Sequence, residues 1–307
     1  MNKINVNNIK VSIIIPTYQR STTLQEALKS AINQTYKNIE IIIVDDNDPK
    51  TIYRKKTEEI MKQYLNDNRI NYIKHKQNLN GAAARNTGIK NCTGQLITFL
   101  DDDDLYAENK VEAQLNFLLT NKKYDGVYCG SIIKGQKKMP YSYGNLSKDI
   151  LLKEAMLYTP TLMFNKDAIL DIDGFNENFN RHQDYEFLLR YFKKYEIGVI
   201  SDCLVFIGDN IGENSLFGIK LNENKNFFLK MFNESISEID KKNSGYKKQV
   251  ISKHYVDVFF RHLRTFYFIL AIKILFKYGF YSPINFVKYG FLKIKDYINY
   301  YNYVKGY

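Results

Sequence analysis

The stretch ITFLDDDDLY sets four adjacent carboxylates, Asp101, Asp102, Asp103 and Asp104, directly behind an apolar run. Like charges this close raise one another's pKa and repel unless a cation offsets them. Hard divalent cations take oxygen ligands, and Mg2+ is typically held by one or two carboxylates with substrate phosphates completing its shell. An acidic run can equally be a solvated turn that caps the next helix. A second acidic pair, Asp45 and Asp46 in IEIIIVDDND, ends another apolar run. A carboxylate there can accept from a base N–H or a ribose hydroxyl; it can also serve a turn, for which Asp48-Pro49 is suitable chemistry. Pro16-Thr17-Tyr18-Gln19-Arg20 follows a third apolar run, where Tyr18 either stacks on a base or packs in its loop. In NLNGAAARNTGIK, Gly81 and Ala82–Ala84 permit close backbone approach, and Arg85 among them can reach an anion or lie on a packed helix surface. In GFNENFNRHQDYEFLLRY, Asp184 and Glu186 open a helix. A carboxylate there complements the helix dipole, and one that faces a cleft can act as a general base. His75, His182, His254 and His262 are the only histidines, and no Ser-His-Asp or Cys-His arrangement is legible. His182 lies close to Asp184, within reach of an acceptor or phosphate, or is simply a loop residue.

Side chains so far apart in sequence act together only if a scaffold brings them to one edge. Val11–Ile15 is a β-branched run ended by Pro16, and Ile39–Val44, Ile70–Ile73 and Gln95–Leu100 read as further strands. Continuous apolar runs of this kind suit strands buried on both faces of a parallel sheet. Between them fall a helix capped by Ser21, with Leu24, Ala27, Leu28, Ala31 and Ile32 on one face, a polar-faced helix over Ile52–Leu65, and a short one over Ala82–Lys90. The repetition predicts an α/β sheet with right-handed crossovers. Helices are expected at Ala107–Thr120, Ser147–Ala155 and Gln183–Tyr195, and strands near Gly126–Ile133, Thr161–Phe164 and Ile197–Phe206. Residues 208–224, rich in Gly and Asn, read as a loop or domain edge, with helix from there on. Ligands of open α/β sheets bind outside the carboxyl ends of the strands, where Tyr18, Asp45, Asp46 and the Asp101–Asp104 run all fall. One shared polar cleft accounts for them better than several independent turns.

The chain has 307 residues, 45% hydrophobic and 25% charged, enough for a large core in one or two domains and too apolar for wholesale disorder. With 16 Gly and 5 Pro it is no collagen-like or proline-rich polymer. Cys92, Cys129 and Cys203 are too few for a disulfide scaffold and lack metal-site spacing, which makes a reducing compartment the expectation. The opening MNKINVNNIKVSIIIPTY shows no secretory signal. Charge is unevenly placed. Residues 241–307 hold 13 Lys and Arg against Asp257 and Asp296, so the whole net charge of +11 lies there, with 19 of the 45 Phe and Tyr. No run reaches the roughly 18 apolar residues that span a bilayer; Phe266–Phe280 is broken by Lys273 and Lys277. Ile284, Val287, Phe291, Ile294 and Ile298 form one helical stripe, flanked by Lys288 and Lys295 with Lys293 opposite. That pattern suits a helix lying in a membrane interface, or a packed helix with lysines snorkelling at its edges.

VSIIIPTYQR, IIIVDDND, NGAAARNTGI, FLDDDD and GFNENFNRHQDYEF, in this order and at these intervals, resemble the family 2 glycosyltransferases, nucleotide-sugar enzymes of GT-A fold. The resemblance covers roughly residues 10–210 and implies a Rossmann-like GT-A catalytic domain over 1–210, with a mostly helical, basic and aromatic region over 211–307 for membrane docking or acceptor binding. By position it implies that Pro16, Thr17 and Tyr18 line the base pocket, that Asp46 with Asp45 beside it reads the base, and that Arg85 lies near base and phosphates. It gives the DXD motif as Asp101-Asp102-Asp103, with Asp103 on Mn2+ or Mg2+ and Asp101 and Asp102 against the ribose and the metal's water shell. Asp184 is similar to the family's catalytic base. The fully acidic run leaves the metal register open by one residue, and VFIGDNIGENSLF lacks a histidine many relatives carry, for which Asp209 or Glu213 are the available substitutes.

The implied function is inverting transfer from a nucleotide diphosphate sugar, UDP-linked by expectation, to a glycan or lipid-linked acceptor hydroxyl in cell-surface polysaccharide or glycoconjugate assembly. The expected setting is cytoplasmic, peripheral on an anionic membrane surface engaged through residues 241–307, with no nucleic-acid partner. Two competing readings are a metal-dependent nucleotidyltransferase and a nucleic-acid-binding protein using the basic tail. A dinucleotide oxidoreductase is disfavoured because PTYQRS lacks the G-x-G-x-x-G turn.

Overall fold

The computed structural model describes residues 9–140, 142–155, 157–179, 181–208 and 217–305. The chain divides into two compact units, one of residues 1–150 with 155–211, the other of 151–154 with 212–307.

The first unit begins as a run of alternating strands and helices: β1 (Val11–Thr17), α1 (Ser21–Ile32), β2 (Ile39–Asp45), α2 (Ile52–Lys62), β3 (Ile70–Lys74), α3 (Gly81–Asn91) and β4 (Leu96–Phe99). It continues with β5 (Leu105–Tyr106), α4 (Lys110–Thr120), β6 (Gly126–Ile133), β7 (Gln136–Lys138), α5 (Ser147–Leu151), β8 (Leu162–Asn165), α6 (Lys166–Asp171), α7 (Gln183–Tyr191) and β9 (Ile197–Ile207). One sheet results, ordered β3-β2-β1-β4-β8-β6-β9-β5, with β7 hydrogen-bonded to β6. Strands β3, β2, β1 and β4 are mutually parallel, while β8 runs antiparallel to both β4 and β6. Ile13, Ile14, Ile15, Ile41, Ile42 and Ile43 are fully buried, which is why β1 and β2 read as unbroken apolar runs rather than alternating ones. Leu24 and Leu28 of α1 are buried on that sheet. Each stabilises the helix on its face by ~1.5–3 kcal/mol.

The differences from the sequence expectations fall mainly at the ends of elements. β1 does not end before Pro16 but runs on through Thr17, paired to Val44 and Asp45 of β2. Its pairing to β4 stops at Ile14, so Pro16 has a neighbour on one side only and its missing N–H leaves no ladder bond broken. Ser21 does not cap α1; Arg20 stands at the cap position and makes no capping bond. The helices expected to end at Leu65, Ala155 and Tyr195 end at Lys62, Leu151 and Tyr191, and α4 starts at Lys110 because Leu105–Tyr106 pairs with β9. β7 and α6 carry no apolar run long enough to have been foreseen.

The second unit is helical: α8 (Gly218–Met231), α9 (Asn233–Lys242), α10 (Tyr246–Arg264), α11 (Phe268–Ile274), a π-helical turn at Leu275–Gly279, and α12 (Pro283–Lys305). Helix thus begins inside the stretch expected as loop, and of the expected loop the part at 209–216, with Asp209 and Glu213, lies outside the described residues. Its core gathers Leu221, Tyr255, Val256, Val258, Ile274, Phe286 and Tyr289. Asp257 is half-buried among lysines, ion-paired to Lys153 and, at 3.0 Å, to Lys293, which hold its carboxyl well below the usual range against the opposing effect of burial. No helix among the described residues is long and apolar enough to cross a membrane.

Candidate active site

The acidic run sits where β4 leaves the sheet. The Asp104 N–H donates to the Asp101 carbonyl at 3.0 Å, so the four carboxylates occupy one tight turn. Asp102 and Asp104 are buried and Asp101 and Asp103 partly so. Burial, with the Asp103 charge added, pushes the Asp102 carboxyl up to about 7 against the pull of Thr17 and Arg20. Burial and the Asp101 charge push Asp104 up to about 8, and burial also raises Asp103. The β1 loop closes over this turn. The Tyr18 N–H donates to Asp102 Oδ2 at 3.2 Å, and Arg20 pairs with Asp103 and lies 3.9 Å from Asp102. That pairing is why Arg20 stands at the α1 cap position with its side chain turned to the acids. Tyr18 itself is exposed, and Pro16 and Thr17 lead up to it.

Arg85 links two parts of the site. Its Nη2 donates to Asp101 Oδ1 at 2.6 Å and its Nη1 to Gln183 Oε1 at 3.1 Å, while its Nε is buried with no partner among the described atoms. Asn80 positions it by capping α3, accepting from the N–H groups of Ala82 and Ala83 at 2.9 and 3.2 Å. Gln183 and Asp184 form the first turn of α7, entered through His182 in the left-handed region at φ 61°. Glu186 is held by Arg190, at 2.6 Å, and so belongs to the packing of α7. Asp184 instead faces the site: burial raises its pKa, Asp101 adds to the rise and Arg85 opposes it. Tyr158, just before the short 3-10 turn at Thr159–Thr161, has its phenol pKa raised by burial, with the Asp104 and Asp184 charges adding to the rise.

The far side of the turn meets Gly208, just past β9. Its N–H donates to Asp104 Oδ1 at 2.8 Å. A Cβ on Gly208 would stand 2.2 Å from the Asp103 carbonyl oxygen, so only glycine allows this approach.

Asp45 and Asp46 require a correction. The expectation gave them direct contact with a base; the structure buries both and spends them on the protein. Asp45 is ion-paired to Arg54 at 2.9 Å and accepts from the Tyr72 hydroxyl at 2.5 Å and Asn47 Nδ2 at 2.8 Å. Asp46 Oδ1 takes His75 Nδ1 at 2.7 Å and the Leu79 N–H at 2.8 Å, and Oδ2 takes Asn78 Nδ2 at 2.8 Å and the Asn80 N–H at 3.0 Å. A carboxylate offers about four lone-pair sites, and those of Asp46 are filled. Its work is to hold the loop 75–80 that leads into α3, and hence Arg85.

Contacts therefore link Tyr18 to Asp102, Arg20 to Asp103, and Arg85 to Asp101 and to Gln183, the neighbour of Asp184. Sequence reasoning missed Arg20, Gln183, Tyr158 and Gly208. Arg20 and Gln183 stood inside quoted motifs, but nothing in their types distinguished them from surface residues. For a divalent cation the donor chemistry fits: crowded carboxylate oxygens whose protonation is pushed upward are short of positive charge. Among the described residues no three His, Cys, Asp or Glu side chains form a preformed ligand set.

The parallel half of this mixed sheet collects polar groups at its carboxyl edge, the place where open α/β sheets bind their ligands. The Glycosyl transferase family 2 model matches residues 12–181, more than half of the chain, and the chain belongs to that family. It is 30% identical over 302 residues to an uncharacterized glycosyltransferase of Rickettsia conorii, covering 88% of this chain and 48% of that protein. It is 27% identical over 197 residues to the amylovoran biosynthesis glycosyltransferase AmsB of Erwinia amylovora, covering 60% and 64%. The chain spans between 31% and 65% of the length of five Rickettsia relatives. The fold is shared with S. aureus TarS 1–349 in complex with UDP-GlcNAc, at a TM-score of 0.60 and 18% identity over 83% of this chain and 73% of that one. It is shared too with the mannosyltransferase PcManGT of Pyrobaculum calidifontis in complex with GDP-Man and Mn2+, at 0.52 and 14% over 80% and 63%. The expected α/β GT-A architecture with a helical C-terminal region is thus the observed one.

Proposed function

We propose that the chain transfers a sugar, with inversion, from a nucleotide diphosphate donor to an acceptor hydroxyl. The observation that carries this is Arg85, which ties the acidic turn at Asp101 to the first turn of α7 at Gln183-Asp184. One arginine thereby sets a diphosphate-binding edge beside a general base.

In this reading Pro16, Thr17 and Tyr18 take the base, with the exposed Tyr18 ring as the stacking platform. Arg85 and Asp101 orient the ribose and phosphates, and Asp102 lies against the metal's water shell. Asp103, released from Arg20, would hold Mn2+ or Mg2+, which when bound supplies Lewis-acid neutralisation of the diphosphate leaving group. Asp184 accepts the proton of the acceptor hydroxyl as that oxygen attacks the anomeric carbon from the face opposite the diphosphate. Burial raises its pKa, which makes the carboxylate a stronger base. One base and one displacement suffice, unlike the paired carboxylates of a glycosidase. Asp45 and Asp46 act by holding the loops that carry these groups.

TarS is seen with UDP-GlcNAc and PcManGT with GDP-Man and Mn2+, which supports a nucleotide sugar as donor. The UDP-linked class is our choice, and the AmsB relative supports assembly of a cell-surface polysaccharide or glycoconjugate. The acceptor is a glycan or lipid-linked glycan met at the cytoplasmic face of a membrane, whose anionic surface residues 241–307 engage.

The test is Asp184→Asn. Turnover with a nucleotide-sugar panel should fall by about 10²–10⁴, while nucleoside diphosphate affinity measured by calorimetry changes little. Transfer at near wild-type rate removes Asp184 from the role of base. Release of pyrophosphate in place of nucleoside diphosphate makes the chain a nucleotidyltransferase.

A further inference from the structure

In the second unit the inward faces of the helices are ordinary. Tyr255, Val256 and Val258 of α10, Ala271 and Ile274 of α11, and Phe286 and Tyr289 of α12 are buried. The outward faces are not ordinary. Where a helix in water presents charge, α11 and α12 present Ile269, Ile272, Phe276, Phe280, Ile284 and Phe291. Exposure reaches 64% at Phe276, 72% at Phe280, 83% at Ile284 and 70% at Phe291. An exposed apolar patch of this extent marks an interaction surface.

Two local features hold these side chains out. Phe266, in the turn between α10 and α11, is 79% exposed and sits at φ 62°, a region that bulky residues avoid. The backbone is strained to place a bare ring in solvent, beside Phe268 at 6.0 Å between ring centroids. The π-helical turn at Leu275–Gly279 then sets Phe276 and Phe280 on the outward side, stacked at 5.7 Å.

The charge around this ridge selects its occupant. Lys273, Lys277, Lys288 and Lys295 are exposed along it; against them stand the exposed Asp296 and the half-buried Asp257, whose charge is offset by its pairing to Lys153 and Lys293. Apolar ridge with cationic border is the pattern of an element lying in the headgroup region of anionic lipid, with aromatic and aliphatic side chains reaching the acyl chains.

We infer that the outer edge of α11 and α12, from Phe266 to Ile298, is the surface that docks on an anionic lipid membrane. Phe276, Phe280, Ile284 and Phe291 insert, and the four lysines meet the phosphates. Helix α10, with Tyr255, Val256 and Val258 buried, is the support, not the contact. This locates the membrane engagement proposed above, and it is independent of the transfer chemistry: its failure would leave the site reading untouched.

The full chain is tested by cosedimentation with phosphatidylcholine vesicles, with and without phosphatidylglycerol. Binding should require phosphatidylglycerol and weaken with salt. Phe276→Ser/Phe280→Ser/Ile284→Ser should lower it at least about tenfold with an unchanged circular dichroism spectrum. Because the chain has no tryptophan, Phe280→Trp adds a single reporter. Its emission should shift to the blue on phosphatidylglycerol vesicles and be quenched by brominated acyl chains. That readout decides the matter even if the triple variant misfolds. Wild-type binding by the triple variant, or a Phe280→Trp emission that vesicles leave unchanged, overturns the inference. So does a concentration-dependent dimer that buries the reporter without lipid, or oligonucleotide binding that vesicles do not compete away.

Discussion

Two strands that flank β1 in the same sheet end in aspartates, and the two ends do different things. At the end of β2, Asp45 and Asp46 meet Arg54, Tyr72, His75, Asn78 and two loop N–H groups, and neither has capacity left. At the end of β4, four carboxylates share Arg20, Arg85 and the N–H groups of Tyr18 and Gly208, and burial pushes Asp102 to about 7 and Asp104 to about 8. Both sequences read as an apolar run followed by acids. Compensation separates them: a saturated carboxylate is architecture, and one short of positive charge is prepared for a cation or a phosphate-bound ion.

The largest break in that comparison comes from Asp45→Asn. Removing one member of a buried ion pair leaves Arg54 uncompensated, which costs about 3–5 kcal/mol. Urea unfolding should show that loss, whereas Asp102→Asn at the other strand end should shift the midpoint little. Equal losses would make both ends structural. A smaller effect tests how tightly the β4 turn is held. Gly208→Ala forces a Cβ against the Asp103 carbonyl at 2.2 Å. Overpacking of this kind costs about 1–3 kcal/mol, and turnover should fall with it because the turn itself must move. If Gly208→Ala turns over normally, the Asp101–Asp104 turn is looser than its contacts indicate.

Much of this was legible from the residues. The apolar runs of β1, β2 and β4 named the parallel half of the sheet because strands covered on both faces need no polar alternation. The carboxyl-edge rule then pointed to the strand ends that carry Tyr18, Asp45, Asp46 and Asp101–Asp104, while Asp184 came from the family resemblance. What failed was local. Sequence shows that Asp46 is acidic; it does not show that His75, Asn78, Leu79 and Asn80 will fold back on it from 29 to 34 positions away. Ser21 looked like a cap, but the Arg20–Asp103 pair set the entry to α1 instead. Gly208 looked like one loop glycine among several, and only the approach of Asp103 gives it a reason. Long-range partners, rather than local propensity, decided each of these.

The finest test follows from protonation. An ordinary aspartate titrates near ~4; Asp104 is pushed up to about 8 and Asp102 to about 7. Between those limits the folded chain holds protons that the unfolded chain has released, so stability must fall as pH rises from about 4 to about 8. Asp104→Asn removes one such group and leaves a neutral side chain of the same shape to accept from Gly208. Thermal unfolding in EDTA should therefore show the variant equal to wild type near pH 4 and more stable by about 1–2 kcal/mol near pH 8. Added Mn2+ should raise the wild-type midpoint at the higher pH and narrow the gap, because a cation does for the carboxylates what the substitution does by removing one. Should the two proteins keep the same slope with pH, the β4 end is no less satisfied than the β2 end, and the distinction between architecture and site has to be drawn from Asp184 and Arg85 alone.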